Sequence, residues 1–164
     1  MKDRHHILVV EDELGIALTL YSTLSRADYK VVHAKTGRTA LRKAVNHYFD
    51  LILLDLGLPD ISGLEVCRRL RAESITAPII ILTGDGTLRS KLGLFDAGAT
   101  DYMTKPFNLE ELLARIKAGL RPQPDYPNQP PVQVGELILH PARRSVERAG
   151  MLIELRQKEL ALME

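Results

Sequence analysis

Residues Phe49–Gly63 read FDLILLDLGLPDISG. An unbroken apolar run, Leu51 to Leu54, ends directly in Asp55 and then in a turn containing Gly and Pro. Consecutive apolar residues bounded by turn signals fit a strand covered on both faces. The carboxylate at its exit does not cap the next helix, whose pattern starts only after Ser62. A strand that carries a charge out of its own core calls for a chemical reason.

Working outward, the same grammar recurs. HILVV (His6 to Val10), KVVHA (Lys30 to Ala34), LILL (Leu51 to Leu54), IIIL (Ile79 to Leu82) and DYMT (Asp101 to Thr104) alternate with amphipathic stretches. That alternation predicts an α/β fold built on a parallel sheet with helices on both faces. Three of the runs are apolar throughout, as central strands must be. The second is mixed and the fifth is short and polar, which suits edges. Leu14, Ala17, Leu18, Tyr21 and Leu24 recur at helical spacing and are expected to form one core-facing stripe. Asn108 and Glu111 have the spacing of a capping box, ahead of Leu109, Leu112, Leu113 and Ile116.

The chain has 164 residues, enough for a real core. Its 22 Lys and Arg against 21 Asp and Glu leave a net charge of +1, so composition gives no argument for nucleic acid or an anionic membrane. One cysteine, Cys67, precludes an internal disulfide and falls in a helical pattern, where a small core residue is expected. With no long apolar segment or signal peptide, these features point to a reduced, cytoplasmic setting.

Composition shifts at Arg121. RPQPDYPNQPP carries five prolines and reads as an extended linker. Beyond it, two or three short strands are expected, with turns at His140 to Arg143 and Ala149 to Gly150, and a helix beginning near Arg156. The expected organisation is therefore a domain over residues 1–120, a linker over 121–131 and a β-rich appendage over 132–164.

Placed on the sheet, the polar residues at the strand ends converge. Glu11 and Asp12 follow the first strand, Asp55 the third, Thr83 the fourth and Lys105 the fifth. Carboxyl ends of parallel strands are where open α/β sheets bind ligands. Crowded carboxylates repel unless a cation lies among them, and a hard oxygen-liganded ion such as Mg²⁺ would relieve that cost. Asp55 would then be a carboxylate nucleophile of the aspartyl-phosphate kind. Mg²⁺ and Lys105 would neutralise the phosphoryl charge, and the Thr83 hydroxyl would donate to one of its oxygens. Taken singly, Asp12 and Thr83 also fit helix N-caps and Lys105 a loop lysine. Their joint placement, each about one residue past a strand, favours a site.

In order and spacing, residues 5 to 120 resemble the receiver domain of two-component response regulators. The resemblance is carried by Glu11 and Asp12, by DLGLPDISG from Asp55, by IIILTG with Thr83, and by GATDYMTKPF with Lys105. It implies a doubly wound, flavodoxin-like sheet of order 2-1-3-4-5. It implies that Asp55 accepts phosphoryl from a phosphohistidine on a sensor histidine kinase. Mg²⁺ would be bound by Asp12, Asp55 and the Gly57 carbonyl, with Glu11 acting largely through water. Thr83 and Tyr102 would form the switch, and the Lys105-Pro106 bond would be cis.

Among response regulators, KLGLFDAGATDYMTKPFNLEELLARIKAGL is similar to the dimerisation face of the OmpR-like transcription factors. That face, built from the fourth helix, fifth strand and fifth helix, would pair Lys91 with Glu111 and Asp101 with Arg115 across a two-fold axis. Thr100 departs from that pattern, which often has an acid there. Gly57 departs too, and the phosphoryl lifetime is expected to depend more on Asp85. The tail resembles the opening of the winged-helix DNA-binding domain of the same subfamily, whose recognition helix and wing lie past the matched part. Its six basic and six acidic residues make no basic stripe. DNA binding is thus expected only of a form with the complete winged helix. An output-less receiver, acting as phosphate sink or heterodimer partner, is the alternative.

Two other classes fit less well. A haloacid-dehalogenase-type phosphatase wants a second Asp two residues past the nucleophile, where Gly57 stands. A nucleotide- or flavin-binding domain wants a glycine-rich cradle after the first strand, where VVEDELG offers acids.

Overall fold

The computed structural model describes residues 4–84 and 93–121, and four strand segments within 132–154. The first region runs β1 (His6–Val10), α1 (Leu14–Arg26), β2 (Lys30–Ala34), α2 (Gly37–Asn46), β3 (Leu51–Asp55), α3 (Gly63–Ala72) and β4 (Ile79–Thr83). It continues with helix α4, described over 93–96, then β5 (Asp101–Thr104) and α5 (Leu109–Gly119). The strands form one parallel sheet of order β2-β1-β3-β4-β5, so the mixed and the short polar strands do lie at the edges.

Strand alternation divides the core into two layers. Leu8, Val10, Ile52, Leu54, Ile79 and Ile81 face Ala40 and Ala44 of α2, Val66, Cys67 and Leu70 of α3, and Leu94 of α4. Ile7, Val9, Leu51, Leu53, Ile80 and Leu82 face Leu20 and Leu24 of α1 and Leu112 and Ile116 of α5. Because both faces are covered, every residue of β3 and β4 is buried.

Local chemistry fixes where the helices begin. The Thr36 hydroxyl accepts from the Thr39 amide at the start of α2, and Ser62 accepts from Glu65 at the start of α3. Asn108 accepts from both Glu110 and Glu111 at the start of α5. The other half of the expected capping box is diverted, since the Glu111 carboxylate accepts from Arg115.

One expectation is corrected in α1. Ala17, Leu20 and Leu24 make the buried stripe, whereas Leu14, Leu18 and Tyr21 are 68%, 59% and 51% exposed. The helix is apolar over more of its circumference than one sheet-facing stripe requires, and spacing alone merged two adjacent stripes into one.

The far end of α3 is fastened to the turn after α4. Arg71 donates through Nε to the Gly98 carbonyl (3.0 Å) and through Nη1 to the carbonyls of Ile75 and Ala77. The Cys67 thiol, buried as a small core residue, donates to the Ala97 carbonyl at 3.3 Å. Gly98 sits at φ +95, and a Cβ there would lie 2.7 Å from Arg71 Cγ, so conformation and space both require glycine. Thr100 hydrogen-bonds through its hydroxyl to the Ile79 amide (3.0 Å), where it closes the start of β4.

After residue 131, β6 (Val132–Val134), β7 (Leu137–His140), β8 (Ser145–Arg148) and β9 (Met151–Glu154) form an antiparallel sheet in sequence order. Four strands stand where two or three were expected, because Val132–Val134 pairs with Leu137–His140 as a strand of its own. Apart from Arg121 and His140, the residues of the expected linker over 121–131 and of the two expected turns lie outside the described residues, as does the helix expected near Arg156.

Replacing Arg71 by Met strips donors from three carbonyls while keeping most of the side chain's bulk. Leaving such acceptors unserved costs on the order of 2 kcal/mol, which urea denaturation would report as a lower midpoint. An unchanged midpoint would mean that water serves those carbonyls equally well.

Candidate functional site: an acidic cluster at the carboxyl edge of the sheet

The sheet register gathers the predicted site. Val10 lies opposite Leu54, so Glu11 and Asp12 emerge from β1 beside Asp55, the last residue of β3. Thr83, the last residue of β4, pairs with Thr104 of β5, and its carbonyl accepts from the Lys105 amide at 2.7 Å. Three of the predicted site residues are nearly inaccessible: Glu11 is 0%, Thr83 2% and Asp55 6% exposed.

Glu11, Asp12 and Asp55 each offer an oxygen, and these atoms lie within 4.8 Å of one another. Lys105 Nζ lies 2.9 Å from Glu11 Oε2 and 3.1 Å from Asp55 Oδ1, with the side chain 21% exposed. It is a partly buried ammonium shared between two carboxylates, so the reading of a solvated loop lysine fails. Burial raises the Glu11 pKa, against the lowering effect of the Lys105 hydrogen bond. Burial opposes the Lys105 charge as well, but its bonds to Glu11 and Asp55 prevail and raise its pKa. The N-cap reading of Asp12 fails too, since Glu13 is the residue at the N-cap position of α1. Glu11 Oε1 accepts from the Glu13 amide at 3.1 Å, which fixes that side chain in the cluster.

Three carboxylates against one ammonium make a hard, oxygen-rich and anionic cavity edge, which fits a divalent cation. Gly57 stands beside it, where a Cβ would come 3.5 Å from Asp55 Oδ2. At Gly63 a Cβ would sit 2.1 Å from the Asp55 carbonyl oxygen, so the loop after β3 can fold back on itself only with glycine there. The Lys105-Pro106 peptide bond is cis.

The other expected residues lie on the α4, β5 and α5 face or outside the description. Tyr102 is half-buried, and its ring meets Phe95 edge-on at 5.9 Å. Arg115 pairs with Asp101 (2.7 Å) and Glu111 (2.7 Å) of its own chain. The contact expected between Asp101 and Arg115 across a two-fold axis is thus already made within one chain. Lys91 and Asp85 lie outside the described residues. Sequence reasoning missed the exposed Leu14, Leu18 and Tyr21 stripe, which begins two residues after Asp12. The excess of apolar residues around α1 was the available signal.

A doubly wound 2-1-3-4-5 sheet with acids after β1, an Asp ending β3 and a Lys after β5 defines the signal-receiver class of α/β domains. The chain belongs to the response regulator receiver domain family, whose model matches residues 7–117. Phosphorylation by histidine kinases is the general function of this family, and its members are signalling proteins. The chain is 50% identical over 118 residues to the response regulator ArlR of Staphylococcus aureus, a match covering 72% of the chain and 53% of that protein. It thus spans about half the length of the curated relatives it matches. Among solved structures, a CheY-like receiver domain protein from Methanospirillum hungatei is 32% identical, with TM-score 0.69 over 72% of this chain and 94% of that one. A putative response regulator from Chloroflexus aurantiacus is 37% identical, with TM-score 0.68 over 72% and 98%. Among the described residues no helix is long and apolar enough to cross a membrane.

Replacing Asp12 by Asn in metal-free buffer removes one of three crowded like charges. Stability should rise by on the order of 1 kcal/mol, read as a higher thermal midpoint. A lower midpoint would mean that the Asp12 carboxylate holds the fold through contacts that outweigh the repulsion.

Proposed function

We propose that Asp55 is the phosphoacceptor of a two-component response regulator. The observation that carries this reading is the position of its carboxylate, held at the rim of the sheet with Lys105 Nζ 3.1 Å away and two further acids within 4.8 Å. An Asp55 oxygen attacks the phosphorus of a phosphohistidine. An O–P bond forms as the P–N bond breaks, and the departing imidazole takes up a proton. Lys105 supports the negative charge on the transferring group, and the Thr83 hydroxyl donates to one of its oxygens.

Asp12, Asp55 and the Gly57 carbonyl would hold Mg²⁺, with Glu11 acting through water. The bound ion would supply charge neutralisation between the acceptor and the incoming phosphoryl oxygens. In this reading the receiver assists its own phosphorylation and dephosphorylation and turns over no other substrate.

The signal then passes along the sheet. Thr83 moves toward the phosphoryl group, and Tyr102 leaves its edge-on contact with Phe95 and turns inward. The α4, β5 and α5 face is altered, and with it homodimerisation through Lys91, Asp101, Glu111 and Arg115. Formation of that dimer requires Arg115 to exchange partners from its own chain to the second one. Residues 1–120 form the receiver, 121–131 a proline-rich linker and 132–164 the opening of an OmpR-like winged-helix domain, consistent with the antiparallel sheet of β6 to β9. A form with the complete winged helix would bind DNA and control transcription.

The donor's binding surface follows from α1. Leu14, Leu18 and Tyr21 form an exposed apolar stripe that starts two residues after Asp12 and runs along α1 away from the rim, and an apolar patch of a sensor kinase resting on it would bring its phosphohistidine toward the carboxylate.

Incubation with a small phosphodonor and Mg²⁺ should add one phosphoryl mass to the protein and none to Asp55→Asn, read by intact mass. Equal labelling of the variant, or no label on the parent, would overturn the assignment. Leu18→Asp and Tyr21→Ala should slow transfer from a phosphohistidine kinase roughly 10-fold, with labelling by the small donor unchanged. Equal slowing with both donors would remove α1 from the docking surface.

A further inference from the structure

The loop between β3 and α3 is tied to a helix distant in sequence. Its start is held to β4, the Leu56 amide donating to the Leu82 carbonyl (3.3 Å), and its two ends are brought together by the Gly63 amide, which donates to the Leu56 carbonyl (3.1 Å). Its middle is tied by Asp60. One carboxylate oxygen accepts from the Gly37 amide at 2.8 Å and the other from the Arg38 amide at 2.9 Å. Those are the first two amides of α2, and the third, at Thr39, is served by the Thr36 hydroxyl at 3.2 Å.

Two side chains from different parts of the chain thus divide the orphan amides of one helix end. The pairing is charge-assisted and favoured by the helix dipole, and donation from the Arg38 amide foremost holds the Asp60 carboxyl below its usual range. Packing reinforces the tie. A Cβ on Gly37 would lie 2.6 Å from Ile61 Cγ1 of the loop and 2.6 Å from Val66 Cγ2 of α3, so α2 approaches both as closely as glycine allows. Moving the loop outward would strip two amides of their acceptor and open that contact.

We propose that Asp60 is a positioning residue for the cation site. By holding the loop against α2, it sets the direction of the Gly57 carbonyl relative to Asp12 and Asp55. The proposal rests on the reading of Gly57, Asp12 and Asp55 as cation ligands. It adds α2, an element that contributes none of those ligands, to the parts that shape the site.

The test is Mg²⁺ titration by calorimetry on the wild type, Asp60→Ala, Asp60→Asn, Thr36→Ala and Asp12→Asn. Asp60→Ala should weaken Mg²⁺ binding roughly 10-fold, the usual scale for a group that orients a ligand from behind. Asp60→Asn, which keeps one acceptor oxygen, should fall between. Thr36→Ala loosens the same helix end without touching the loop, so it should lower the thermal midpoint and leave Mg²⁺ affinity unchanged. With a small phosphodonor, Asp60→Ala should need more Mg²⁺ for half-maximal labelling and reach the wild-type rate at saturation. Wild-type affinity in Asp60→Ala, or an equal loss in Thr36→Ala, would overturn the positioning role alone. No Mg²⁺ binding by the wild type, or undiminished binding by Asp12→Asn, would overturn the cation site itself.

Discussion

Three carboxylate oxygens confined within 4.8 Å, with one ammonium between two of the acids, are the constraint from which the rest of this structure follows. Such a cluster is costly. Like charges repel, burial penalises each one, and a free chain would spread them apart. They stay together because β1 and β3 are adjacent, parallel and buried on both faces, so neither strand end can withdraw without dismantling the core. Hydrophobic burial in the two layers offsets the electrostatic cost at the rim. Lys105 removes part of that cost, and a cation among the carboxylates would remove more.

The loops around the cluster show the same logic on a smaller scale. Gly63 lets the chain after Asp55 fold back against its own backbone. Asp60 then fastens the outer part of that loop to α2, and Glu11 Oε1 fastens the loop after β1 through the Glu13 amide. Each tie satisfies backbone donors that would otherwise need water, so rigidity at the rim comes with hydrogen-bond satisfaction rather than against it. On the opposite flank, Arg71 and Cys67 hold the turn after α4 by its carbonyls. The end of α4 nearest β5 is therefore anchored to α3.

Much of this was legible in the sequence, for reasons that are local. Apolar continuity marked β3 and β4 as central, and the mixed KVVHA and polar DYMT marked the edges, which with the parallel arrangement brings Glu11, Asp12, Asp55, Thr83 and Lys105 to one rim. The misreading of α1 arose where two outcomes share one pattern. Leu14, Leu18 and Tyr21 have the spacing of a buried stripe, yet Ala17, Leu20 and Leu24 fill the space against the sheet. Arg115 lies four residues after Glu111 and across from Asp101, a spacing that serves a contact within one chain as well as one between two. Asp60 carried no signal at all, because its partners are 22 and 23 residues away and are backbone amides, whose identity no side chain announces.

The burial of Asp55 and the exposure of α1 bear on one another. An acceptor that is 6% exposed admits a phosphoryl group only along a narrow approach, and a donor held loosely in solution would seldom find it. An apolar stripe starting two residues after Asp12 supplies what the recessed carboxylate lacks, a surface on which a large donor can be oriented before reaction. Orientation by a partner also gives selectivity without any change at the chemical centre. The acids, the threonine and the lysine can stay the same while the side chains on α1 vary with the partner. In the proposed reaction the misassigned apolar residues of α1 thus have a physical reason to face water: the core does not need them, and a donor does.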